Sequence, residues 1–330
     1  MWKICFFDTK SYDRIFFDRL AKQYDVEITY YESKLVESTA IMAKGFDVVV
    51  AFVNDLLNRS VIDSLVEQGV KLIAMRCAGY NNVDLKAAEG RIPVVHVPAY
   101  SPYAVAEHAM GMLLCLNRKL HRAWNRTREH NFSLNGLMGF DLRGKTIGIV
   151  GTGRIGQAFM EVCSGFGMKM IAYDPYPRTD LPVEYRDFYD LCGEADIISL
   201  HCPLTQESWH LVDERVIRLM KEGVFIINTS RGALIDSEDL LENLKTGRIG
   251  AAGLDVYEEE TDLFYEDYSD TIVQDDVLAR LISLPNVLVT SHQAFLTEEA
   301  LANIAETTLQ NVNRYMKEGK LENLVGNWNI

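Results

Sequence analysis

Cysteine pairs, long apolar runs and proline-rich linkers are all scarce in this sequence of 330 residues. The six cysteines are scattered and form no Cys-x-x-Cys pair, so we expect no metal site and no redox motif. The longest apolar runs, such as residues 48–53 and 111–116, fall far below the roughly 18 residues of a membrane-spanning helix. The apolar run at the N-terminus is also too short for a signal peptide, which predicts a cytoplasmic protein with reduced cysteines.

Positive charge is also in short supply. The chain has 33 Lys and Arg against 47 Asp and Glu, which gives a net charge of −14. Nucleic acids and anionic membrane surfaces attract clustered Lys and Arg, so this balance argues against both as partners. A small anionic substrate is not excluded, because a single well-placed Arg can bind it. The length predicts about two domains at roughly 150 residues each.

Segments typical of strands and helices alternate in two blocks. The predicted strands of the first block are 3–8, 26–31, 47–53, 71–75 and 93–97, with helices at 11–22 and 60–68. A long helix at about 102–130 follows, and the second block has strands at 145–150, 168–174, 196–200, 224–228, 250–255 and 287–290. A last helix begins after Thr297 as its N-cap. This alternation predicts an α/β fold with two parallel sheets covered by helices.

The strand that ends at residue 150 leads directly into a G-x-G-x-x-G sequence formed by Gly151, Gly153 and Gly156. The first glycine permits a tight turn, the second lets a pyrophosphate approach the backbone, and the third lets the following helix pack closely. The pyrophosphate would lie at the N-terminus of that helix. Asp174 ends the next strand, where a carboxylate would bind ribose hydroxyls and repel a 2′-phosphate. The pattern predicts NAD rather than NADP, although Arg178 lies close by in the sequence.

Three further strands of the second block each end in residues suited to chemistry. One strand is followed by Arg231, one by a run of acids at 255–260, and one by His292. Ligands bind at the carboxyl ends of parallel strands, so these groups are expected at the edge where NAD would lie. Arg offers a planar fork for a carboxylate, and His is a proton donor near neutral pH. A carboxylate beside that His would raise its pKa. The set predicts hydride transfer between NAD and a 2-hydroxy acid.

Longer motifs make a resemblance specific. They are RCAGYNNVD at 76–84, VPAYSP at 97–102, AEHA at 106–109, HCPLT at 201–205, NTSRGALID at 228–236, GLDVY at 253–257 and SHQAF at 291–295. With these motifs the chain closely resembles the D-isomer-specific 2-hydroxyacid dehydrogenases over its whole length. Within that family it most resembles the bacterial fermentative D-lactate dehydrogenases, which implies reduction of pyruvate to D-lactate by NADH.

The resemblance implies catalytic roles by position. Arg231 would bind the carboxylate and carbonyl of the substrate, and His292 would be the acid and base. The catalytic glutamate of the family lies five residues after the Asp of its GLDVY-type motif, which is Glu260 here. The two preceding glutamates are its competitors, and spacing alone decides among the three.

The resemblance also implies contacts with substrate and cofactor. Backbone N–H groups of Ala78 and Gly79 would hold the substrate carboxylate near Tyr100, while Phe52 and Phe295 would wall a pocket that suits a small 2-keto acid. The implied cofactor contacts are Gly151, Gly153, Arg154, Ile155, Gly156, Asp174, His201, Cys202, Pro203, Thr229, Ser230 and Asp255.

The family further implies a substrate domain built from residues 1–100 and 297–330, with a Rossmann-like NAD-binding domain at 101–296 inserted into it. It implies a homodimer or homotetramer. Two alternatives stay open at this stage. One is a dehydrogenase for a bulkier 2-keto acid such as phenylpyruvate, and the other is an NAD(H)-sensing protein of the corepressor type, which keeps the same Arg, Glu and His.

Overall fold

The structure is a computed structural model that describes residues 1–259 and 263–326. The chain divides into two compact units, of which the first joins Met1–Ser101 to the segment that begins at Leu296. The second unit is Pro102–Phe295 and is inserted into the first. Each unit is built on one parallel sheet with helices, which confirms the predicted α/β class with two parallel sheets.

The first unit has a five-stranded parallel sheet in the order β2-β1-β3-β4-β5. Its strands are β1 (Trp2–Phe6), β2 (Val26–Tyr30), β3 (Val48–Ala51), β4 (Leu72–Met75) and β5 (Val94–Val95), and its helices are α1 (Ser11–Ala21), α2 (Arg59–Glu67), α3 (Leu85–Ala88) and α11 (Glu298–Glu318). Every residue of β3 and β4 is buried, as expected for parallel strands covered on both faces.

The last helix, α11, begins where the sequence predicts. The Thr297 hydroxyl accepts a hydrogen bond from the Ala300 N–H at 3.2 Å, and Glu298 and Glu299 occupy the first turn, where acids suit the helix dipole. Its predicted apolar face is buried throughout, at Leu301, Ile304, Ala305, Thr308, Leu309 and Val312. The helix thus belongs to the first unit, where it packs against α1 and β4.

The second unit has a seven-stranded parallel sheet in the order β12-β11-β10-β9-β6-β7-β8. Its strands are β6 (Thr146–Val150), β7 (Lys169–Tyr173), β8 (Glu184–Tyr185), β9 (Ile197–Leu200), β10 (Val224–Asn228), β11 (Ile249–Leu254) and β12 (Val287–Val289). Its helices are α4 (Pro102–Arg118), α5 (Leu120–Arg128), α6 (Arg154–Gly165), α7 (Phe188–Glu194), α8 (Glu214–Ile217), α9 (Ser237–Thr246) and α10 (Asp276–Ser283).

The strand order of this sheet reverses between β6 and β9. From β6 the chain proceeds outward to β7 and β8, and it then returns to place β9 on the other side of β6. Ligands of open parallel sheets bind beside such a reversal, beyond the carboxyl ends of the strands. The glycine turn after β6 and the residues after β9 to β12 therefore meet at one edge of the sheet.

The predicted single helix at 102–130 is wrong, because the structure has two helices there. Lys119 has a φ of 51°, in the left-handed region that ends a helix. The Asn117 side chain donates to the Phe140 carbonyl at 2.7 Å and accepts from its N–H at 2.9 Å, and Lys119 donates to the Met138 carbonyl at 2.7 Å. Tertiary contacts thus end α4, and they are invisible in a helical periodicity.

The short elements were also missed. The two-residue edge strand β8 and the four-residue helices α3 and α8 are too short to show a period of 2 or 3.6. Within the part of the chain that the structure describes, no helix has the length and apolarity needed to cross a membrane.

Candidate active site

The glycine turn after β6 has the geometry that its sequence predicts. Gly151 has a φ of 96°, and a Cβ there would lie 2.7 Å from the Cys202 nitrogen. A Cβ on Gly156 would collide with the Gly151 carbonyl, so the start of α6 touches the turn itself. A Cβ on Gly153 would meet no heavy atom of the described residues within 4 Å. The turn is therefore closed on the side of the sheet and open at the N-terminus of α6.

The predicted contacts Arg154 and Ile155 are the first two residues of α6. The first N–H groups of a helix have no acceptor within the helix, and its dipole favours an anion at this end. The open space at Gly153 lies in front of these groups. The turn therefore fits a pyrophosphate, because the N-terminus of α6 has free N–H groups and Gly153 leaves open space there.

Asp174 lies beside the turn. Its Oδ2 accepts from the Thr152 N–H at 2.7 Å and from the Thr152 hydroxyl at 2.9 Å, and its Oδ1 accepts from the Tyr176 N–H at 2.9 Å. A carboxylate has about four acceptor sites, so these three bonds leave capacity for a ribose hydroxyl. Arg178 forms two hydrogen bonds with Asp180, at 3.0 and 2.6 Å, so its guanidinium is already engaged by a carboxylate.

The residues after β9 and β10 place polar atoms without partners near the turn. The Nε2 of His201 bonds to the Ser199 hydroxyl at 2.9 Å, and burial lowers the pKa of this imidazole to about 3, so the ring is neutral. Its Nδ1 and the hydroxyl of Thr229 are buried without a hydrogen-bond partner in the described structure. Orphaned buried polar atoms are costly unless a ligand or water satisfies them. They are consistent with a polar cofactor at this edge.

Three other predicted cofactor contacts belong to the same two loops. The Ser230 hydroxyl donates to the Cys202 carbonyl at 2.5 Å and so ties the loop after β10 to the loop after β9. Burial raises the pKa of the Cys202 thiol to about 11, which keeps it protonated. The Pro203 carbonyl accepts from the Ser208 hydroxyl at 2.8 Å.

Arg231 begins a tight turn after β10. The side chain of buried Asn228 accepts from the Ser230 N–H at 3.0 Å and donates to the Arg231 carbonyl at 2.8 Å, which fixes the backbone of the turn. The guanidinium donates to the Ser230 carbonyl at 2.6 Å and is paired with no carboxylate among the described residues. A Cβ on Gly232 would collide with the Tyr257 backbone, so the turn lies directly against that segment. Sequence reasoning missed the role of Asn228, although it begins the NTSRGALID motif.

His292 is held in a left-handed conformation, with a φ of 51°. Its N–H donates to the Asp255 carbonyl at 2.7 Å, and its own carbonyl accepts from the Tyr265 hydroxyl at 2.9 Å. The Tyr265 ring also stacks on the imidazole, with 6.1 Å between the ring centroids. Strained backbone of this kind persists where surrounding contacts over-determine it, and it is frequent at functional sites.

The carboxylate of Asp255 fixes this loop through hydrogen bonds. Its Oδ1 accepts from the Thr290 hydroxyl at 2.6 Å and from the Gln293 N–H at 2.9 Å, and its Oδ2 accepts from the Ala294 N–H at 2.8 Å. The Nε2 of His108 lies 3.3 Å from Oδ1. The side chain of Asp255 is fully buried. Asp255 therefore holds residues on both sides of His292 in place, in addition to the nicotinamide contact that the resemblance implies.

The pKa of Asp255 is lowered despite its position. Burial alone would raise this pKa, but hydrogen bonds from His108, Thr290 and the Ala294 N–H, together with the charge of His108, outweigh it. The carboxylate is thus ionised and stabilises the fold above its ordinary pKa of 3.8, and this contribution is lost as the pH falls below that value. His108 and Thr290 were not among the predicted site residues.

The structure separates the three glutamates that spacing left in competition. The carboxylate of Glu258 bonds to His210 at 2.6 Å and to the Ser237 hydroxyl at 3.1 Å. Glu259 is exposed. Glu260, the residue implied by the resemblance, lies outside the described residues. Glu258 is therefore already committed to another histidine.

In the first unit, Phe52 is buried and fixed from several sides. The Asp55 carboxylate accepts from the Phe52 N–H at 2.6 Å, and the Asn82 side chain donates to the Phe52 carbonyl at 2.9 Å. The Arg76 guanidinium lies 3.9 Å above the phenyl ring. Burial raises the pKa of Asp55 to about 7, although the Leu35 and Phe52 N–H groups oppose the shift. This ring can hardly move without disturbing buried charges.

The other predicted residues of the first unit lie after β4 and β5. Within the described residues, the N–H groups of Ala78 and Gly79 donate to no acceptor, whereas the Ala78 carbonyl accepts from His96 at 2.9 Å. The Tyr100 carbonyl accepts from Asn303 at 2.7 Å. Phe295, which ends the second unit, is buried. Two adjacent free N–H groups are a fitting cradle for a carboxylate.

The second unit thus combines a dinucleotide-binding turn with an arginine and a histidine at the same edge of a parallel sheet. That combination defines the class of nicotinamide-dependent dehydrogenases of hydroxy acids. The comparisons with known proteins give the family within this class.

The family model of the D-isomer specific 2-hydroxyacid dehydrogenase NAD binding domain matches residues 110–294. A D-lactate dehydrogenase of Escherichia coli is 52% identical over 319 residues, with 96% of this chain and 97% of the relative covered. The apo structure of D-lactate dehydrogenase from Escherichia coli superposes with a TM-score of 0.90 at 48% identity, covering 98% of this chain and 100% of that one.

An NAD-complexed D-isomer specific 2-hydroxyacid dehydrogenase from Lactobacillus delbrueckii ssp. bulgaricus superposes with a TM-score of 0.83 at 31% identity, covering 98% of this chain and all of that one. The chain belongs to the D-isomer-specific 2-hydroxyacid dehydrogenase family. Its second unit contains the NAD-binding domain of that family, and the protein is an NAD-dependent oxidoreductase.

Asp255→Asn tests the bracing of the His292 loop. An amide cannot accept hydrogen bonds at both of its ends, so at least one loop donor loses its partner. We expect kcat for 2-keto acid reduction to fall by about tenfold or more while the Kd for NADH stays within about threefold. Steady-state kinetics and NADH fluorescence titration measure the two quantities, with Thr290→Ser as a control that keeps the hydroxyl. A weakened Kd at unchanged kcat would instead assign Asp255 to the cofactor alone.

Proposed function

We propose that this protein is an NAD-dependent D-lactate dehydrogenase that reduces pyruvate to D-lactate. The observation that carries the proposal is that two groups suited to the chemistry lie at the same edge of the second sheet. One is the Arg231 guanidinium, which has no carboxylate partner among the described residues, and the other is His292 on its braced loop. A similarity of 52% identity to a D-lactate dehydrogenase over nearly the whole chain supports pyruvate as the substrate.

In this proposal, residues 1–100 and 297–330 are the substrate domain and residues 101–296 bind NAD. NAD, when bound, supplies or accepts the hydride. The turn from Gly151 to Gly156 would hold the pyrophosphate, and Asp174 would accept hydrogen bonds from the ribose hydroxyls. Because Arg178 is engaged by Asp180, it offers no free guanidinium to a 2′-phosphate, which supports NAD over NADP.

Arg231 binds the carboxylate of the substrate through two parallel hydrogen bonds. The resemblance implies that the N–H groups of Ala78 and Gly79, which donate to no acceptor among the described residues, would also bind the substrate carboxylate and so orient the keto group. His292 donates a proton to the carbonyl oxygen during reduction and accepts it back during oxidation. Glu260 supplies the negative partner that favours the protonated imidazole.

The resemblance to the family implies that Phe52 and Phe295 would limit the side chain of the substrate. The Phe52 ring is held by the Asp55 and Arg76 contacts, so it cannot move aside for a larger group without breaking buried polar contacts. A methyl group is therefore favoured over a benzyl group, which supports pyruvate over phenylpyruvate.

The proposal is tested by following NADH oxidation with pyruvate, phenylpyruvate, oxaloacetate and hydroxypyruvate, and by assaying the product with stereospecific lactate dehydrogenases. The expected result is the highest kcat/KM with pyruvate and formation of the D-isomer. Preference for phenylpyruvate would favour the alternative dehydrogenase for bulky acids. Tight NADH binding without turnover of any keto acid would favour the NAD(H)-sensing alternative.

Arg231→Lys tests carboxylate binding. Lysine keeps the charge but loses the planar fork, so we expect the KM for pyruvate to rise by about 10- to 100-fold while the Kd for NADH stays within about twofold. Arg178→Lys is the matched control, because that exposed side chain pairs only with Asp180 among the described residues. A near-normal KM for pyruvate in Arg231→Lys would refute the assignment.

Glu260→Gln tests the partner of His292. Removal of the negative charge disfavours the imidazolium, so the alkaline limb of the pH–rate profile for pyruvate reduction should move to lower pH. Glu259→Gln, at the exposed neighbouring position, serves as the control and should leave the profile in place. If only the control variant moved the limb, the role would belong to Glu259.

We propose a homo-oligomer, formed through α5 and the segment after it. No side chain of α5 is buried, and Leu134 and Met138 are 81% and 87% exposed. Exposed apolar groups clustered on one segment are typical of an interface. Sedimentation velocity should show a dimer or tetramer, and Leu134→Glu should shift it toward the monomer, whereas Leu219→Glu, at a half-exposed site elsewhere, should not. A monomeric parent protein would rule the proposal out.

We also propose that the protein works in the cytoplasm. All six of its cysteines are present as thiols in the structure, as expected for a reducing compartment.

A further inference from the structure

His210, which is not among the predicted site residues, lies between two carboxylates. Its Nε2 is 2.6 Å from Glu258 and its Nδ1 is 3.1 Å from Asp236. All three side chains are partly buried, and Glu258 also accepts from the Ser237 hydroxyl at 3.1 Å. A neutral imidazole carries a proton on one nitrogen only, so it can donate to only one carboxylate. Only the imidazolium, with a proton on each nitrogen, can donate to both carboxylates.

The indole of Trp209 covers the same imidazole. The two rings are parallel within 14°, and their centroids are 3.5 Å apart. A cation over an aromatic face is stabilised by the ring quadrupole, and tryptophan is the best such face. The stacking therefore favours the charged ring as well. His210 itself has a φ of 49°, and its N–H donates to the Ala233 carbonyl at 2.8 Å.

The two carboxylates belong to segments that flank the Arg231 turn. Asp236 ends the turn that Arg231 begins, and it also caps α9. Glu258 follows the Tyr257 backbone against which Gly232 packs. The imidazole therefore ties the far end of the Arg231 turn to the segment on which the turn rests.

The charged groups near His210 lie on three segments: the turn before α9, the segment after β11 and the segment of His210 itself. Asp236 comes from the turn before α9, and Glu258 comes from the segment after β11; within the described residues neither carboxylate has another cationic partner. On the segment of His210 itself, Asp213 is paired with Arg215. In the first turn of α9, the Asp239 carboxylate accepts from a backbone N–H of α8. The imidazolium is thus balanced by the two carboxylates that it joins.

We propose that the imidazolium of His210 is a clamp that positions Arg231 for the carboxylate of the substrate, and that its deprotonation loosens the clamp. This inference rests on the proposed function. When the ring loses its proton, one of the two carboxylates loses its donor, and the link between the Arg231 turn and the 257–259 segment weakens. Binding of the 2-keto acid then weakens as the pH rises, and binding of NADH does not.

Trp209 provides a direct readout that needs no substrate. An imidazolium in contact with an indole quenches its fluorescence, whereas a neutral imidazole quenches it much less. The difference in emission between the parent protein and Trp209→Phe should rise on titration from about pH 5 to about pH 10. The rise should be absent in His210→Gln. The KM for pyruvate should increase over the same pH interval in the parent protein.

In His210→Gln at a pH below that interval, we expect the KM for pyruvate to rise by about tenfold, with kcat and the Kd for NADH within about threefold. The increase of the KM for pyruvate over that pH interval should be smaller in this variant than in the parent protein. His130→Gln, at an exposed site, is the matched control and should keep the parent KM and the parent fluorescence transition. Asp236→Asn keeps the helix cap and removes one charge, so it should move the fluorescence transition to lower pH even if His210→Gln fails to fold.

Two results would overturn the clamp. One is a parent protein that, at a pH below that interval, reduces pyruvate with the same KM as His210→Gln. The other is a fluorescence transition that is absent, or present while the KM stays constant across it. If the parent protein turns over no 2-keto acid at all, the proposed function fails, and the fluorescence titration still decides whether His210 is charged between its two carboxylates.

Discussion

The buried carboxylate of Asp255 is the interaction on which the arrangement of the second unit depends. It lies at the carboxyl end of β11 and accepts hydrogen bonds from α4, from Thr290 just after β12 and from the loop that carries His292. An ionised carboxylate is costly to bury unless its oxygens are satisfied. Each of these donors belongs to an element near the sheet edge. The hydrogen bonds that stabilise the buried Asp255 carboxylate therefore also fix the loop that carries His292.

Similar buried or half-buried side chains shape the other loops. Asn228 bonds to both sides of the Arg231 turn, Asp174 holds the glycine turn through Thr152, and Asp55 binds the Phe52 N–H in the first unit. Each case uses a short polar side chain to satisfy backbone groups where a strand gives way to a loop. The predicted site residues therefore stand on turns whose backbone is held by buried or half-buried polar side chains.

His210 shows how the same device can be sensitive to pH. The Asp255 carboxylate and the Asn228 amide keep their hydrogen-bond roles near neutral pH. An imidazole, in contrast, changes its number of donors when it titrates. A histidine between Glu258 and Asp236 makes the Arg231 turn the adjustable part of an otherwise rigid edge. The fixed part, around Asp255, holds the loop that carries His292.

Much of the fold follows from the sequence alone. Apolar runs such as VVVA in β3 are buried on both faces only in a parallel sheet, and the cap at Thr297 marks the start of α11 by local chemistry. The glycine turn is equally local, because a positive φ and close packing of α6 both require glycine. Arg231 and His292 could be named from the strands that precede them.

Tertiary structure alone decided the rest. The break at Lys119 depends on contacts with residues 138–140, and the commitment of Glu258 depends on His210, which is 48 residues away in the sequence. The tasks of Asn228, His108 and Thr290 likewise come from partners on other elements. Periodicity and motif spacing record local preferences and shared faces, whereas the choice of partner for a buried polar group is made only when distant segments pack together.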